Sequence, residues 1–345
     1  MCGIVASTQR IGLFVFVLIS WAAVALISWT RAIEIDYMSF APFWGVGMVF
    51  YFAAALLVLI KDQYVSAVCE ILGALFLLVV PIFLSTFLAI SLRMPLADDW
   101  LIAADRAIGF DWVAYIHFID QYLFLIQFFT AIYDVFFILI LAVPLLLIFS
   151  RKIELAFGFV FGFEFLSLFS SVISIWFPSM GAFYSYGVPA SELEHMVPTI
   201  GYGFLEQFQI AYGGHLQSIS VVNLSGILSF PSVHAGVGFW VFWSARKVKW
   251  ARWPVCFSAL AMALSAISHG SHYFVDILAG LGVAIVTGWV TSNCFLAQWS
   301  LPSLGTVLHK LGLREVNKPK SAPTLVDGDV LQAGPSVPIH KEQSA

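Results

Sequence analysis

The sequence predicts an all-α integral membrane protein with about eight transmembrane helices. Three observations lead there. Of 345 residues, 61% are hydrophobic and only 10% charged, with a mean hydropathy of +0.93. A soluble domain is typically about a quarter charged, and no single water-facing globule hides this much apolar surface. Apolar runs long enough to span a bilayer, roughly 20 residues each, recur along the chain. Lys and Arg concentrate in alternate connections between them and in the C-terminal tail. The same composition excludes other classes. A net charge of -4 with no basic stripe argues against a nucleic-acid partner. The four cysteines, Cys2, Cys69, Cys256 and Cys294, lack the spacing of a disulfide framework.

The predicted spans are about 11–30, 38–60, 68–92, 122–149, 155–177, 232–246, 253–271 and 275–297. The first run carries no small-residue cleavage site and is followed by further spans, so it reads as an uncleaved helix. The sixth is short, and a tight turn separates the last two. With the N-terminus inside, Arg10, Lys61, Arg151, Lys152, Arg246, Lys247, Lys249 and Arg252 fall in inner connections. Lys310, Arg314, Lys318, Lys320 and Lys341 fall in the C-terminal tail, and only Arg31, Arg93 and Arg106 lie outside. By the positive-inside rule both termini are cytoplasmic. No internal repeat supports an inverted-repeat transporter.

Two outer connections are long. Residues 93–121 hold Asp98, Asp99, Asp105, Arg106, Asp111 and Asp120, and Trp100 to Ala104 predicts a helix lying on the membrane surface. Residues 178–231 contain no Lys or Arg. Their length suits a cap over an active site, with Tyr184, Tyr186, Glu194 and His195 as candidate contacts to a sugar or polyol. Asn223-Leu224-Ser225 is a glycosylation sequon too close to a span to carry weight. Asp134 and Glu164 lie within the fourth and fifth spans and Glu70 near the inner end of the third; intramembrane carboxylates are candidate functional groups or hydrogen-bonded packing acids.

Six of the eight histidines fall on the outer side, and two short stretches concentrate the chemistry. One is Ser229-Phe230-Pro231-Ser232-Val233-His234; the other is Ser268-His269-Gly270-Ser271-His272-Tyr273-Phe274-Val275-Asp276, followed by Gly280. His234 opens a span running inward, and the next span runs back out to His272, so both imidazoles end on one membrane face. Ser232 stands at a helix N-terminus, where free N–H groups favour an anion. His272 and Asp276 are spaced i, i+4, so the carboxylate can fix the imidazole tautomer. Paired imidazoles beside an anion site suit phosphoryl transfer through a phosphohistidine, one attacking phosphorus and the other protonating the leaving oxygen. No metal or other cofactor is required. A zinc site on His234, His272 and Asp276 is the weaker alternative, because no His-Glu-x-x-His or cysteine cluster accompanies it.

Pro231-Ser232-x-His234 and His272-x-x-x-Asp276-x-x-x-Gly280 resemble the last two motifs of the type 2 phosphatidic acid phosphatase superfamily. The wording of both motifs is most similar to the branch containing inositol phosphorylceramide synthase and inositolphosphotransferases. That resemblance implies His234 as the acid, His272 as the nucleophile, Asp276 as its orienter and Ser232 as a phosphate contact. It also implies a six-helix core, here residues 63–300, preceded by two added spans in 1–62. The Pro-, Ser- and charge-bearing composition of 301–345, without an apolar period, predicts a disordered cytoplasmic tail. The phosphatases' first motif, Lys-x6-Arg-Pro, is absent, and Ala266 stands where they carry Arg before the third-motif histidine. Arg93 and His269 are the expected substitutes on the phosphate.

The expected function is therefore transfer of a phospho-head group between lipids at the extracytoplasmic face. The alternatives are hydrolysis of a lipid phosphate or pyrophosphate and, in another class, a non-catalytic membrane binder or transporter. The expected partners are a phospholipid or lipid phosphate and the bilayer itself. A bacterial inner membrane fits better than a eukaryotic Golgi membrane.

Overall fold

The computed structural model describes residues 7–196 and 202–296. The predicted tail 301–345 lies outside them. Every predicted span is helical: α1 (Ser7–Arg31), α2 (Ala41–Leu59), α3 (Gln63–Ile90), α6 (Leu123–Phe149), α7 (Ile153–Ser174), α10 (Val233–Ala245), α11 (Arg252–His269) and α12 (Phe274–Val290). Among the described residues, six stretches are long and apolar enough to cross a membrane: Thr8–Arg31, Tyr37–Leu59, Gln63–Ile90, Leu123–Phe149, Ile153–Ser174 and Phe274–Phe295. The other two, α10 and α11, fall short for physical reasons. The 13 residues of α10 rise about 20 Å at 1.5 Å each, less than the ~30 Å hydrocarbon layer. Ser258, Ser265, Ser268 and His269 dilute the apolar character of α11. Both instead pack within the bundle, α10 against α6, α7, α11 and α12.

Local chemistry explains the boundaries. Asp62 caps α3, its carboxylate accepting from the Val65 N–H at 3.1 Å. Asp111 caps the short helix α5 (Trp112–Asp120) through the Ala114 N–H at 3.0 Å. The turns entering α3 and α7 place Lys61 and Arg151 at positive φ, at the same end of the bundle as the Arg10–Glu70 ion pair at 3.0 Å. Arg151 lies over the Tyr64 ring at that end. Small residues let α2 and α3 cross closely: a Cβ on Gly47 would sit 2.7 Å from Leu77 and 3.2 Å from the Gly73 carbonyl oxygen.

The outer connections are folded. Residues 93–121 form α4 (Asp98–Ala107) and α5. The helix predicted to lie on the membrane surface exists, but Asp98, Leu101 and Asp105 on its inner side are buried in protein while Trp100 is exposed. Residues 178–231 hold α8 (Ala182–Tyr186), α9 (Leu205–Gly213) and strand β2 (Ser218–Ile219). Strand β2 pairs in parallel with β1 (Glu34–Ile35), which follows α1. A second apolar core forms here, with Trp112, Ile116 and Phe183 against Ile267, Tyr273 and Ile277. The outer layer is thereby welded to the start of α12.

The three intramembrane acids separate. Glu70 pairs with Arg10, buried Glu164 accepts a hydrogen bond from Ser20, and Asp134 is exposed on α6.

Candidate active site

The break between α11 and α12 places His272. Gly270 ends α11 with its N–H on the Ala266 carbonyl at 2.9 Å. A Cβ on Gly270 would lie 2.6 Å from the His272 ring and 2.8 Å from the Ala266 oxygen, so glycine is needed for the imidazole to sit there. Ser271 adopts φ 57° and is held on both sides: its carbonyl accepts from the Ala182 N–H at 2.7 Å and its hydroxyl accepts from the Phe183 N–H at 3.0 Å. His272 follows, 3% exposed.

The i, i+4 contact forms as its spacing requires. His272 Nδ1 lies 3.2 Å from Asp276 Oδ2. The same oxygen accepts from the Tyr273 N–H at 3.0 Å and the Ser229 hydroxyl at 3.3 Å. Since the carboxylate can only accept, Nδ1 carries the proton and Nε2 is left with its lone pair. Asp276 is fully buried, and its Oδ1 has no hydrogen-bond partner among the described residues.

The second motif docks against the third. Ser232 caps α10, its hydroxyl accepting from the Ala235 N–H at 3.3 Å, and its own N–H donates to the Asp276 carbonyl at 3.2 Å. Gly280 makes this approach feasible, because a Cβ there would stand 2.5 Å from the Ser232 carbonyl oxygen and 3.0 Å from the Gly236 nitrogen. His234, in the first turn of α10, stacks on Tyr133 at 4.2 Å and packs against Phe136 at 4.2 Å. The Ser232 N–H on the Asp276 carbonyl thus sets the first turn of α10, with His234, against the turn that carries His272 and Asp276.

A layer of carboxylates that sequence reasoning left as loop charges surrounds this pair. Asp105, fully buried on α4, accepts from the Phe274 N–H at 3.0 Å and the Val275 N–H at 2.8 Å. It therefore occupies the N-terminus of α12, which would otherwise attract an anion. Burial pushes the Asp105 carboxyl above its ordinary range, opposed by those two N–H bonds. Asp98 accepts from the Tyr273 hydroxyl at 2.9 Å, from Ser179 at 2.7 Å and from Ser185 at 2.9 Å. Trp112 Nε1 donates to the His272 carbonyl at 3.0 Å. Every residue from 272 to 275 is clamped by the 98–112 segment. The available signal was the density of Asp and Trp in a connection otherwise too long for its task. Asp105→Asn leaves one acceptor for two N–H donors and turns its amide N–H groups toward the other. It should cost about 1–3 kcal/mol of stability and lower kcat roughly tenfold with KM little changed, as steady-state kinetics would show. An unchanged kcat would deny Asp105 any part in positioning His272.

Asp120 plays a similar part further out. Burial alone would raise its carboxyl, but the N–H groups of Glu194, His195 and Met196 and the nearby His195 hold it below the ordinary range. A depressed carboxylate stabilises above its unfolded value, near 3.9, and the contribution is lost as pH falls through the folded value. Asp120→Asn should therefore accelerate amide exchange at 194–196 at neutral pH and cost about 2 kcal/mol. The wild-type loop should loosen only below about pH 4.

The two substitute cations have partners of their own, and His269 also lies 6.2 Å from the Tyr133 ring on which His234 stacks. His269 has both ring nitrogens engaged, Nε2 with Thr130 Oγ1 at 2.9 Å and Nδ1 with Ser268 Oγ at 2.9 Å. Arg93 is exposed at the end of α3, at φ 56°. Its guanidinium lies against Gly214 at the end of α9, where a Cβ would overlap it. Among the described residues nothing ties it to His272. Of the candidate loop contacts, Tyr186 stacks flat on Trp112 at 5.2 Å. Among the described residues no three His, Cys, Asp or Glu side chains gather as a metal site would require.

Six helices long and apolar enough to cross a membrane, with the motif pair at one end of the bundle, define a multi-pass membrane protein. A family model for the PAP2 superfamily matches residues 99–290, which run from the second residue of α4 to the end of α12 and include both motifs, Asp105 and Trp112. The chain belongs to the PAP2 superfamily. Helices α1 to α3 lie outside the matched residues. No curated protein and no solved structure matches the chain.

Proposed function

We propose that this protein is a metal-independent lipid phosphotransferase working through a phosphohistidine on His272. The observation that carries the reading is the buried His272–Asp276 contact at 3.2 Å, docked through the Ser232 N–H against the start of α10, whose first turn carries His234. In the first half-reaction His272 Nε2 attacks the phosphorus of a phospholipid head group. A P–N bond forms, the P–O bond to the lipid alcohol breaks, and the leaving oxygen takes a proton from His234. Asp276 stabilises the positive charge that develops on His272. In the second half-reaction an acceptor hydroxyl attacks the phosphorus, His234 removes its proton, and the P–N bond breaks to restore His272. The α10 N-terminus and Ser232 hold the phosphate oxygens, a role supported by the occupation of the α12 N-terminus by Asp105.

Transfer is favoured over hydrolysis by the fit of both motifs to the inositolphosphotransferase wording and by the lack of the phosphatases' cations. With water as acceptor the same steps give a phosphatase. The sorting of Lys and Arg supports a site on the extracytoplasmic face. The test supplies purified protein with head-group-labelled phospholipid, with and without ceramide or another lipid alcohol, in the presence of a chelator. A new labelled phospholipid with release of diacylglycerol is the expected result. Release of the water-soluble phosphorylated head group alone would assign hydrolysis, and loss of activity on chelation would overturn metal independence.

A further inference from the structure

We propose that the basic end of the bundle, remote from His272, holds a second binding site for a phosphate group, carried there by an anionic lipid. Helix α10 leads from His234 to Ala245, so its far end lies roughly 18 Å from the histidine pair at 1.5 Å per residue. There a cavity of about 190 Å³ opens between α7, α10 and the segment after α12. Arg246 and Lys247 line it together with the hydroxyl residues Ser244, Thr291 and Ser292, and no Asp or Glu lines it. Neither cation has a carboxylate partner among the described residues. Arg246 is held in place, its guanidinium 3.4 Å above the Trp243 ring and donating to the Trp243 carbonyl.

Two further observations mark this cavity as built for a polar ligand. Thr291 is 1% exposed, yet its hydroxyl oxygen has no hydrogen-bond partner among the described residues. A buried hydroxyl without a partner costs free energy unless something binds it. Residues Thr291–Phe295 also form a π-helical turn, with the Leu296 N–H reaching the Thr291 carbonyl at 2.8 Å. Such turns are rare and occur often at functional sites. The turn brings two consecutive hydroxyl residues, Thr291 and Ser292, onto one cavity. Guanidinium, ammonium and hydroxyl donors around a space without acids suit phosphate oxygens. The rest of the wall is apolar, including Phe159 and Trp240, and Trp243 is an aromatic of the kind that marks the bilayer interface. A lipid head group with its first methylenes against that wall satisfies both halves, and basic residues at a membrane surface attract such lipids.

The test uses full-length protein carrying His272→Ala, so that no substrate turns over, in nanodiscs of phosphatidylcholine alone or with phosphatidic acid. A third arm adds inorganic phosphate to phosphatidylcholine discs. Phosphatidic acid should raise the thermal midpoint by about 3 °C, and native mass spectrometry should find it retained. Adding Arg246→Gln and Lys247→Gln together should remove at least half of the rise. Lys61→Gln with Lys152→Gln, at the same end but outside the cavity, should leave it intact. If the Arg246 and Lys247 double variant does not fold, Thr291→Val keeps the charges and should still diminish the rise. A full rise in both the double variant and Thr291→Val, or an equal loss in the Lys61 and Lys152 control, would overturn the proposal. An equal rise with inorganic phosphate would keep the site and assign it to a soluble phosphate compound.

Discussion

His272→Ala is expected to abolish turnover, by at least about 10⁴-fold, because loss of a nucleophile removes the covalent route itself. The acid-labile phosphoenzyme that the proposed mechanism requires of the wild type should vanish with it. His234→Ala should behave differently. It removes proton donation to the leaving oxygen, a contribution of about 10²–10⁴. That loss should shrink when the leaving group is a phenol such as p-nitrophenol, which departs without protonation, and the phosphoenzyme should still form. The two variants together therefore separate the roles of the two rings. A His272→Ala protein that turns over normally ends the mechanism. Equal losses on good and poor leaving groups in His234→Ala would remove His234 from the acid role.

Gly280→Ala is expected to damage the site through the backbone alone. The added methyl would stand 2.5 Å from the Ser232 carbonyl oxygen and 3.0 Å from the Gly236 nitrogen. Neither atom belongs to a side chain that can swing away, so the first turn of α10 must move relative to α12. Overpacking of this kind costs about 1–3 kcal/mol. A shift near 1 Å between groups that must act together costs about 100-fold in rate. Gly282, one half-turn along the same helix, faces open space, and Gly282→Ala should be neutral or stabilising by about 0.5–1 kcal/mol. Thermal unfolding and activity measured on both variants decide the matter. A fully active, fully stable Gly280→Ala protein would show that α10 and α12 need not approach so closely.

Both experiments probe a contact that a reader of the chain could locate only in part. The i, i+4 spacing of His272 and Asp276 is a property of any helix, so their meeting needed only the helix to form. The approach of Ser232 to Gly280 joins positions 48 residues apart and depends on how α10 and α12 pack. The motif told where glycine stands, and the structure supplies its reason. The carboxylates of α4 were visible as Asp98 and Asp105 but had no readable role, because a loop acid exposed to water and one buried against a helix N-terminus look alike in sequence. The surroundings of the two substitute cations were equally hidden. The His269 ring meets Thr130 and Ser268, and the Arg93 guanidinium packs against Gly214.

The sequence by itself determined the membrane class, the helices and the spacing that pairs His272 with Asp276. These follow from composition and from periodicities of a few residues, which act locally along the chain. Only the tertiary structure decided that α10 and α11, one too short and the other too polar for a full span, pack inside the bundle. It also decided that the 98–112 segment clamps residues 272–275 and that Asp105 fills the N-terminus of α12 while Ser232 caps that of α10. Those outcomes turn on burial, and burial is set by which distant surfaces meet.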